Sequence, residues 1–471
     1  MSVFTQRQSR FRHEWLGAPN VLIVAKLKTF FRPVINVPRK KHVLGSACSL
    51  VPQRWSTYLL HLIQKSSYGL KYAWNLATSQ LVSRWLFPQA PDMSSFPATL
   101  ADLLCELIAR PSVAPEGDSG GTPPGEQAMA DYVATLLRAM GGEVSVTPVE
   151  PGRPNVVARF PTPDRKAPVV ALVPHLDTVG VDRMTIAPFS PTLLHGRIYG
   201  RGACDTKGPM AAALWALRRH LDCRETASAR ITWTFAATMG EEELSTGATA
   251  LCRQGFRAGF AIALEPTDLR LVHAEKGVLR LWVEATGRAC HGSAPEQGEN
   301  AIYKLLPFLE ACEHQLAPAL SRTRHPALGG ASLNVGVLTG GRELNVVPDR
   351  CRAGLDLRTH PGLTNQDALA LVRSAAAGLT VSVHRDGAPF ALAADHPWVQ
   401  ALGTHAAGLA TAPWFSDANV FNAHGIPSVA FGPGSIAQAH TADEFIELAS
   451  LEAGARALEA FMAKVDSNPP C

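Results

Sequence analysis

At 471 residues the chain is long enough for two or three domains, and a hydrophobic content of 46% supports a substantial core. The net charge of +4 is unevenly spread: residues 1–91 hold thirteen Lys/Arg against Glu14 alone, which leaves 31 Lys/Arg against 39 Asp/Glu elsewhere. A mildly acidic body excludes a broad nucleic-acid footprint. Nine cysteines, an odd number with no CxxC pair, indicate reduced thiols in a reducing compartment such as the cytoplasm.

Residues 1–92 differ in kind from the rest of the chain: they are basic, nearly free of acid, and rich in Trp, Ser and Gln. The longest apolar run near the start, Val21 to Ala25, is far short of the ~20 residues that span a bilayer, so no membrane span is expected there. An Arg-rich, acid-poor segment fits an organelle transit peptide or a basic membrane-surface arm around Tyr58 to Phe87. The favoured expectation is that the working protein begins at Met93 and residues 1–92 are a disordered extension or not part of the native protein.

From Met93 the periodicity sharpens. Leu100, Leu103, Leu104, Leu107 and Ile108 share one helical face, with Thr99 and Asp102 at its start and Pro111 at its end. A Gly/Pro-rich loop over 115–125 precedes a second helix, Gln127 to Met140, which stops at Gly141-Gly142. Strands are expected at Glu143–Val149 and Asn155–Phe160. The apolar run Val169–Val173 reads as a buried parallel strand, and Pro209 to Leu221 as a helix. Ile231, Trp233 and Phe235 alternate with Thr and Ala, as in a strand, which points into Met239-Gly240-Glu241-Glu242-Glu243. Phe260–Leu264 and Ser428–Phe431 are further short strands.

Four of these strands release a His or a carboxylate at the carboxyl end: His175, Glu241/Glu242, Glu265 and His440. Asp205 stands ahead of the helix after the first. In open α/β sheets that edge is where ligands bind. Between Glu265 and His440, residues 277–386 have their own β-α-β-β-α-β rhythm, that of a ferredoxin-like unit. The expected architecture is α/β: a catalytic domain (93–276 and 387–471) with a mostly parallel sheet flanked by helices, interrupted by an α+β lid.

Two imidazoles and three carboxylates have the hardness for a pair of divalent ions such as zinc, cobalt or manganese. One carboxylate would have to bridge, and a further carboxylate must take a proton from water. Glu241, beside Glu242, suits that base, and Asp177 suits a role orienting His175. Each residue alone has a duller reading as a hydrogen-bonded loop residue; repetition at strand ends favours the metal.

The motifs HLDTV (175–179), GRGACDTKG (200–208), EEELSTGA (241–248), EPTDLRLVHAEKG (265–277), CHGSAPEQGENAI (290–302), GGRELNVVPDRC (340–351), DLRTHPG (356–362) and GPGSIAQAHTADEF (432–445) run in order along the chain. Together they resemble the zinc-dependent amidohydrolases and metallopeptidases that include acetylornithine deacetylase, succinyl-diaminopimelate desuccinylase, aminoacylase and carboxypeptidase G. The resemblance covers about 96–465 and not residues 1–92. It implies two ions, Zn2+ or Co2+, with His175 and Glu265 on one, Glu242 and His440 on the other, and Asp205 bridging. It gives Glu241 as general base and Asp177 as the residue behind the ligand histidine. His291 would reach the partner subunit's site in a homodimer formed through the lid, and Asn345 and Arg358 would hold the substrate. That substrate would be an N-acyl amino acid, most like N-acetylornithine.

One stretch departs from that pattern: relatives often carry Gly-Gly-Thr-Asp or a Thr-Glu version where this chain has Trp414-Phe415-Ser416-Asp417-Ala418. A side-chain preference other than ornithine is therefore open. So are desuccinylase, aminoacylase and dipeptidase or carboxypeptidase readings, and a catalytically silent binding protein. Gly117-Asp118-Ser119-Gly120-Gly121 spells a serine-protease motif, but the His and Asp it needs have no place upstream, and a flexible loop is expected. Gly200-Arg201-Gly202 lacks the third glycine of a nucleotide fingerprint. His195, His220, His360 and His424 read as structural.

Overall fold

The computed structural model describes residues 96–225 and 229–470. The expectations for residues 1–92 lie outside the described residues. Thr99 caps helix α1 (Leu100–Ile108), its hydroxyl accepting the Asp102 N–H at 3.0 Å. Helix α2 (Gln127–Ala139) leads into the antiparallel pair β1 (Glu143–Glu150) and β2 (Arg153–Phe160). Then come β3 (Val169–Val173), the hairpin β4 (Thr192–Leu194) and β5 (Arg197–Tyr199), α3 (Lys207–Cys223) and β6 (Thr232–Ala237). Helix α4 (Thr246–Arg253), β7 (Phe260–Ala263) and β8 (Leu271–Glu275) complete this part.

The next stretch forms its own sheet. Strand β9 (Gly277–Thr286) is followed by α5 (Ala301–Ala311), which runs through a π-helical turn into α6 (Ala317–Arg322). A small hairpin, β10 (Arg324–His325) with β11 (Gly329–Gly330), precedes β12 (Ser332–Gly340), β13 (Arg350–Thr359), α7 (Asn365–Ala375) and β14 (Thr380–Gly387). The four long strands are antiparallel in the order β12-β13-β9-β14. Alternate residues of β9 (Leu279, Leu281, Val283 and Ala285) pack with Leu305 and Phe308 of α5 and Ala368 and Val372 of α7. The helices cover one face of this sheet, as the β-α-β-β-α-β order predicts.

The chain then returns through β15 (Phe390–Ala391), α8 (Pro397–Gly403), β16 (Leu409–Ala412), α9 (Asp417–Ala423), β17 (Ser428–Ala430), β18 (Phe445–Glu447) and α10 (Leu448–Ser467). The central sheet runs β1-β2-β6-β3-β7-β17-β8-β15, with β16 paired to β8. Its middle, β6-β3-β7-β17, is parallel, and antiparallel pairs flank it.

The two-residue period of the strands divides the core into layers. Val170 and Leu172 of β3 join Leu104, Leu214 and Phe461 on the side of α1, α3 and α10. Ala171 and Val173 join Ala248, Leu251 and Phe421 on the side of α4 and α9. Each fully buried large side chain contributes about 1.5–3 kcal/mol. All six residues of β6 are buried, Trp233 and Phe235 in the first of these layers and Ala236 in the layer that α4 and α9 cover. Among the described residues no helix is long and apolar enough to cross a membrane.

Candidate metal centre

The four parallel strands at the middle of the sheet, β6, β3, β7 and β17, are the ones followed by Glu241/Glu242, His175, Glu265 and His440. The β3–β6 pairing continues past the strands: Leu176 N–H donates to the Thr238 carbonyl at 2.7 Å, and Thr238 N–H to that of Pro174 at 3.0 Å. This holds the two turns side by side. Gly240, at φ 65°, makes the turn into Glu241, and a Cβ there would lie 2.6 Å from Thr246 Oγ1. Glycine is the residue that tolerates both demands.

His175 Nε2 lies 3.0 Å from Asp205 Oδ1, while His440 Nε2 lies 3.4 Å from Asp205 Oδ2 and 2.9 Å from Glu242 Oε2. The ligand atoms of His175, Asp205 and Glu242 fall within 4.8 Å of one another. Glu265 is buried and interacts electrostatically with His175, Asp205 and Glu241. His175 Nδ1 is 3.0 Å from the Asp177 carbonyl, an acceptor that leaves Nε2 free to bind. His440 sits in the left-handed region at φ 63°, strain of the kind that neighbouring structure must hold in place.

Charge is unevenly balanced in this cluster. Burial drives Glu241 and Glu265 well above the ordinary carboxylate range, and burial with repulsion from Asp205 raises Glu242. Burial also opposes ionisation of Asp205, but hydrogen bonds from His175 and His440 outweigh it and hold its carboxyl low. Bonds to Asp205 and Glu242 push His440 up to about 10. Buried carboxylates crowded in this way call for more positive charge than two imidazoles supply. Imidazole and carboxylate donors at these separations fit a divalent cation.

The carboxylate of Asp177 does more than face His175, from which its Oδ1 is 3.5 Å. It accepts the backbone N–H groups of Glu241 and Glu242, each at 3.1 Å, and so fixes the turn carrying both glutamates. His291, Asn345 and Arg358 lie in the inserted module. Gly292 N–H donates to the Asn345 carbonyl at 2.7 Å, which sets His291 beside Asn345; the exposed His291 ring is 2.7 Å from Ser293 Oγ. Arg358 Nε and Nη2 reach Asp356 at 2.6 and 3.2 Å. Among the described residues no hydrogen bond or ion pair joins these three to the metal cluster.

Sequence reasoning missed three buried carboxylates. Glu444 accepts Arg201 Nη1 and the N–H groups of Gly202, Cys204 and Asp205 at 2.7–3.0 Å, cradling the loop that presents Asp205. Its signal was its place four residues after His440 in the same motif. Glu126 pairs with Arg153 at 2.8 Å and accepts Gly240 N–H at 3.2 Å; nothing in its local sequence marks it. Asp417 accepts Thr238 Oγ1 at 2.6 Å and lies in the departing stretch around Trp414. Ser119 Oγ donates to the Thr122 carbonyl within its loop, and His220, His360 and His424 bond Asp466, the Thr323 carbonyl and the Val420 carbonyl.

Comparison with known proteins adds the family. Residues 171–464 match peptidase family M20/M25/M40. Acetylornithine deacetylase of Proteus mirabilis is 32% identical over 377 residues, covering 75% of this chain and 93% of the relative. A probable succinyl-diaminopimelate desuccinylase of Staphylococcus epidermidis is 27% identical, covering 68% and 88%. In fold, the chain is similar to an M20 family metallo-carboxypeptidase from Sulfolobus solfataricus, with a TM-score of 0.65 at 18% identity, covering 78% of this chain and 99% of that one. The chain belongs to peptidase family M20/M25/M40, a hydrolase of amide bonds.

Proposed function

We propose that this protein is a two-metal amidohydrolase that cleaves an N-acyl amino acid into a carboxylic acid and the free amino acid, in the manner of acetylornithine deacetylase. The observation that carries the reading is Asp205: its two carboxylate oxygens face different imidazoles, Oδ1 toward His175 and Oδ2 toward His440. That arrangement suits a bridge between two ions, with His175 and Glu265 on one side and Glu242 and His440 on the other. Zinc and cobalt match these donors. Bound there, such ions supply the charge that acidifies water and polarises the scissile carbonyl.

The protein's own groups do the rest. Glu241, buried beside Glu242 and anchored through its N–H to Asp177, accepts the proton of the attacking water. It then delivers that proton to the leaving nitrogen. His291 would donate a hydrogen bond to the developing oxyanion of the partner subunit's site. Asn345 and Arg358 would hold the substrate, Arg358 through the α-carboxylate, where a planar guanidinium fits bidentately. The module over 277–386 is then a lid and a dimer interface. Val335, Val337 and Leu338, exposed on the edge strand β12, support pairing with a second copy. Free thiols at all seven described cysteines fit a reducing compartment such as the cytoplasm.

The test is amine release from the zinc-loaded chain with N-acetylornithine, N-acetylmethionine, N-succinyl-diaminopimelate and a glycyl dipeptide, with and without chelator. The reading expects turnover of at least one N-acyl amino acid, abolished by chelator and restored by zinc. Turnover that survives complete metal removal contradicts it.

A further inference from the structure

Resting on that reading, we propose that Arg385 is the receptor for a second carboxylate on the substrate, so that the site favours doubly acidic N-acyl amino acids over cationic ones. Arg385 is the one buried residue of β14, whose neighbours are exposed or half-buried. A bulge in the β14–β9 pairing between Val383 and Arg385 shifts the register at this point, the device by which strands re-aim a side chain. The guanidinium leaves the lid sheet and reaches the loop of the general base. Its Nη2 donates to Ser245 Oγ at 3.0 Å, four residues beyond Glu241, and its carbon stacks 4.8 Å from the centre of the Phe415 ring.

What this guanidinium lacks is an anion. It is 8% exposed, yet among the described residues no carboxylate lies within ion-pair distance, and Nε and Nη1 make no hydrogen bond. Glu241 and Asp417 are close enough to be felt electrostatically, and burial disfavours its charge. A largely buried guanidinium whose remaining donors still reach solvent can receive an anion, and a carboxylate answers with two parallel bonds. Arg358 already has two nitrogens on Asp356, so the two arginines offer different binding capacities. An ammonium side chain brought to this point would meet Arg385 unfavourably.

The second carboxylate could sit on the amino-acid side chain or on the acyl group, and the experiment separates them. The zinc-loaded wild type, Arg385→Gln and Arg385→Lys are assayed on N-acetylglutamate, N-succinylmethionine, N-acetylmethionine and N-acetylornithine. The wild type is expected to favour one of the two doubly acidic substrates, and which one identifies the source. Arg385→Gln should lower kcat/KM for it about 10- to 100-fold, mainly through KM. N-Acetylmethionine should change little, and the lysine variant should recover part of the loss. Equal losses on all four substrates, or a wild type that prefers N-acetylornithine, overturn the proposal. Calorimetric binding of glutarate to the same proteins separates the two claims. Glutarate binding that Arg385→Gln weakens, without turnover of any substrate, keeps the receptor and removes the amidohydrolase; binding indifferent to Arg385 removes the receptor.

Discussion

Single carboxylates in this protein do two different jobs, and their partners tell them apart. Asp205 and Glu242 face imidazoles, whereas Asp177, Glu126 and Glu444 accept backbone N–H groups, Asp177 beside His175 and the other two paired with arginines. The second group holds still the loops on which the first group stands, the support that metal sites require of their surroundings. Glu444 is the strongest case, with four donors on one buried carboxylate. Glu444→Gln replaces two of its acceptor positions with an amide that cannot accept, so zinc affinity should fall about 10- to 100-fold. Competition against a chromogenic chelator measures this, and unchanged affinity in a folded variant would remove Glu444 from the support of Asp205. The clustering of His175, Asp205 and Glu242 was legible because such residues recur at the ends of the central strands or just ahead of the following helix. Glu126 was not, because its acceptor role toward Gly240 joins positions 114 apart and leaves no spacing to read.

At the scale of elements, the arrangement depends on four short parallel strands ending in neighbouring positions. The run Val169–Val173 was readable as buried on both faces because it contains no polar residue. Strand β6 is buried throughout although it carries Thr232 and Thr234, which alternation alone does not reveal. The bulge that frees Arg385 from β14 was equally hidden, because a one-residue register shift changes no residue type. Strand β8 carries a pH prediction. Burial pushes its last residue, Glu275, from 4.5 up to about 8, despite bonds from the Ser416 N–H and hydroxyl. Between those values the unfolded chain has lost this proton while the folded chain keeps it, so the contribution to stability falls as pH rises from about 4.5 to about 8. Glu275→Gln removes that dependence. Urea unfolding at pH 5 and pH 8 should show the variant losing less stability than the wild type over the interval, by roughly 2 kcal/mol or more. A wild type that gains stability relative to the variant across the interval would contradict the assignment.

Over the whole molecule, the charge division at residue 91 and the match over 171–464 concern different parts of the chain. The fold could be read from sequence because its two sheets have different rhythms: strands followed by helices in one, and a β-α-β-β-α-β insert in the other. The substrate could not be read in the same way, because contacts between the insert and the turns after the central strands, such as Arg385 Nη2 to Ser245 Oγ, join positions 140 apart and leave no spacing to read. The proposed function divides labour between adjacent residues, with Glu242 holding metal and Glu241 moving the proton. Glu241→Ala separates the two roles when zinc per chain by mass spectrometry is compared with kcat on the best substrate. Wild-type zinc content with kcat lowered about 100- to 10,000-fold is expected. A variant that loses its zinc, or that keeps both zinc and rate, would contradict it.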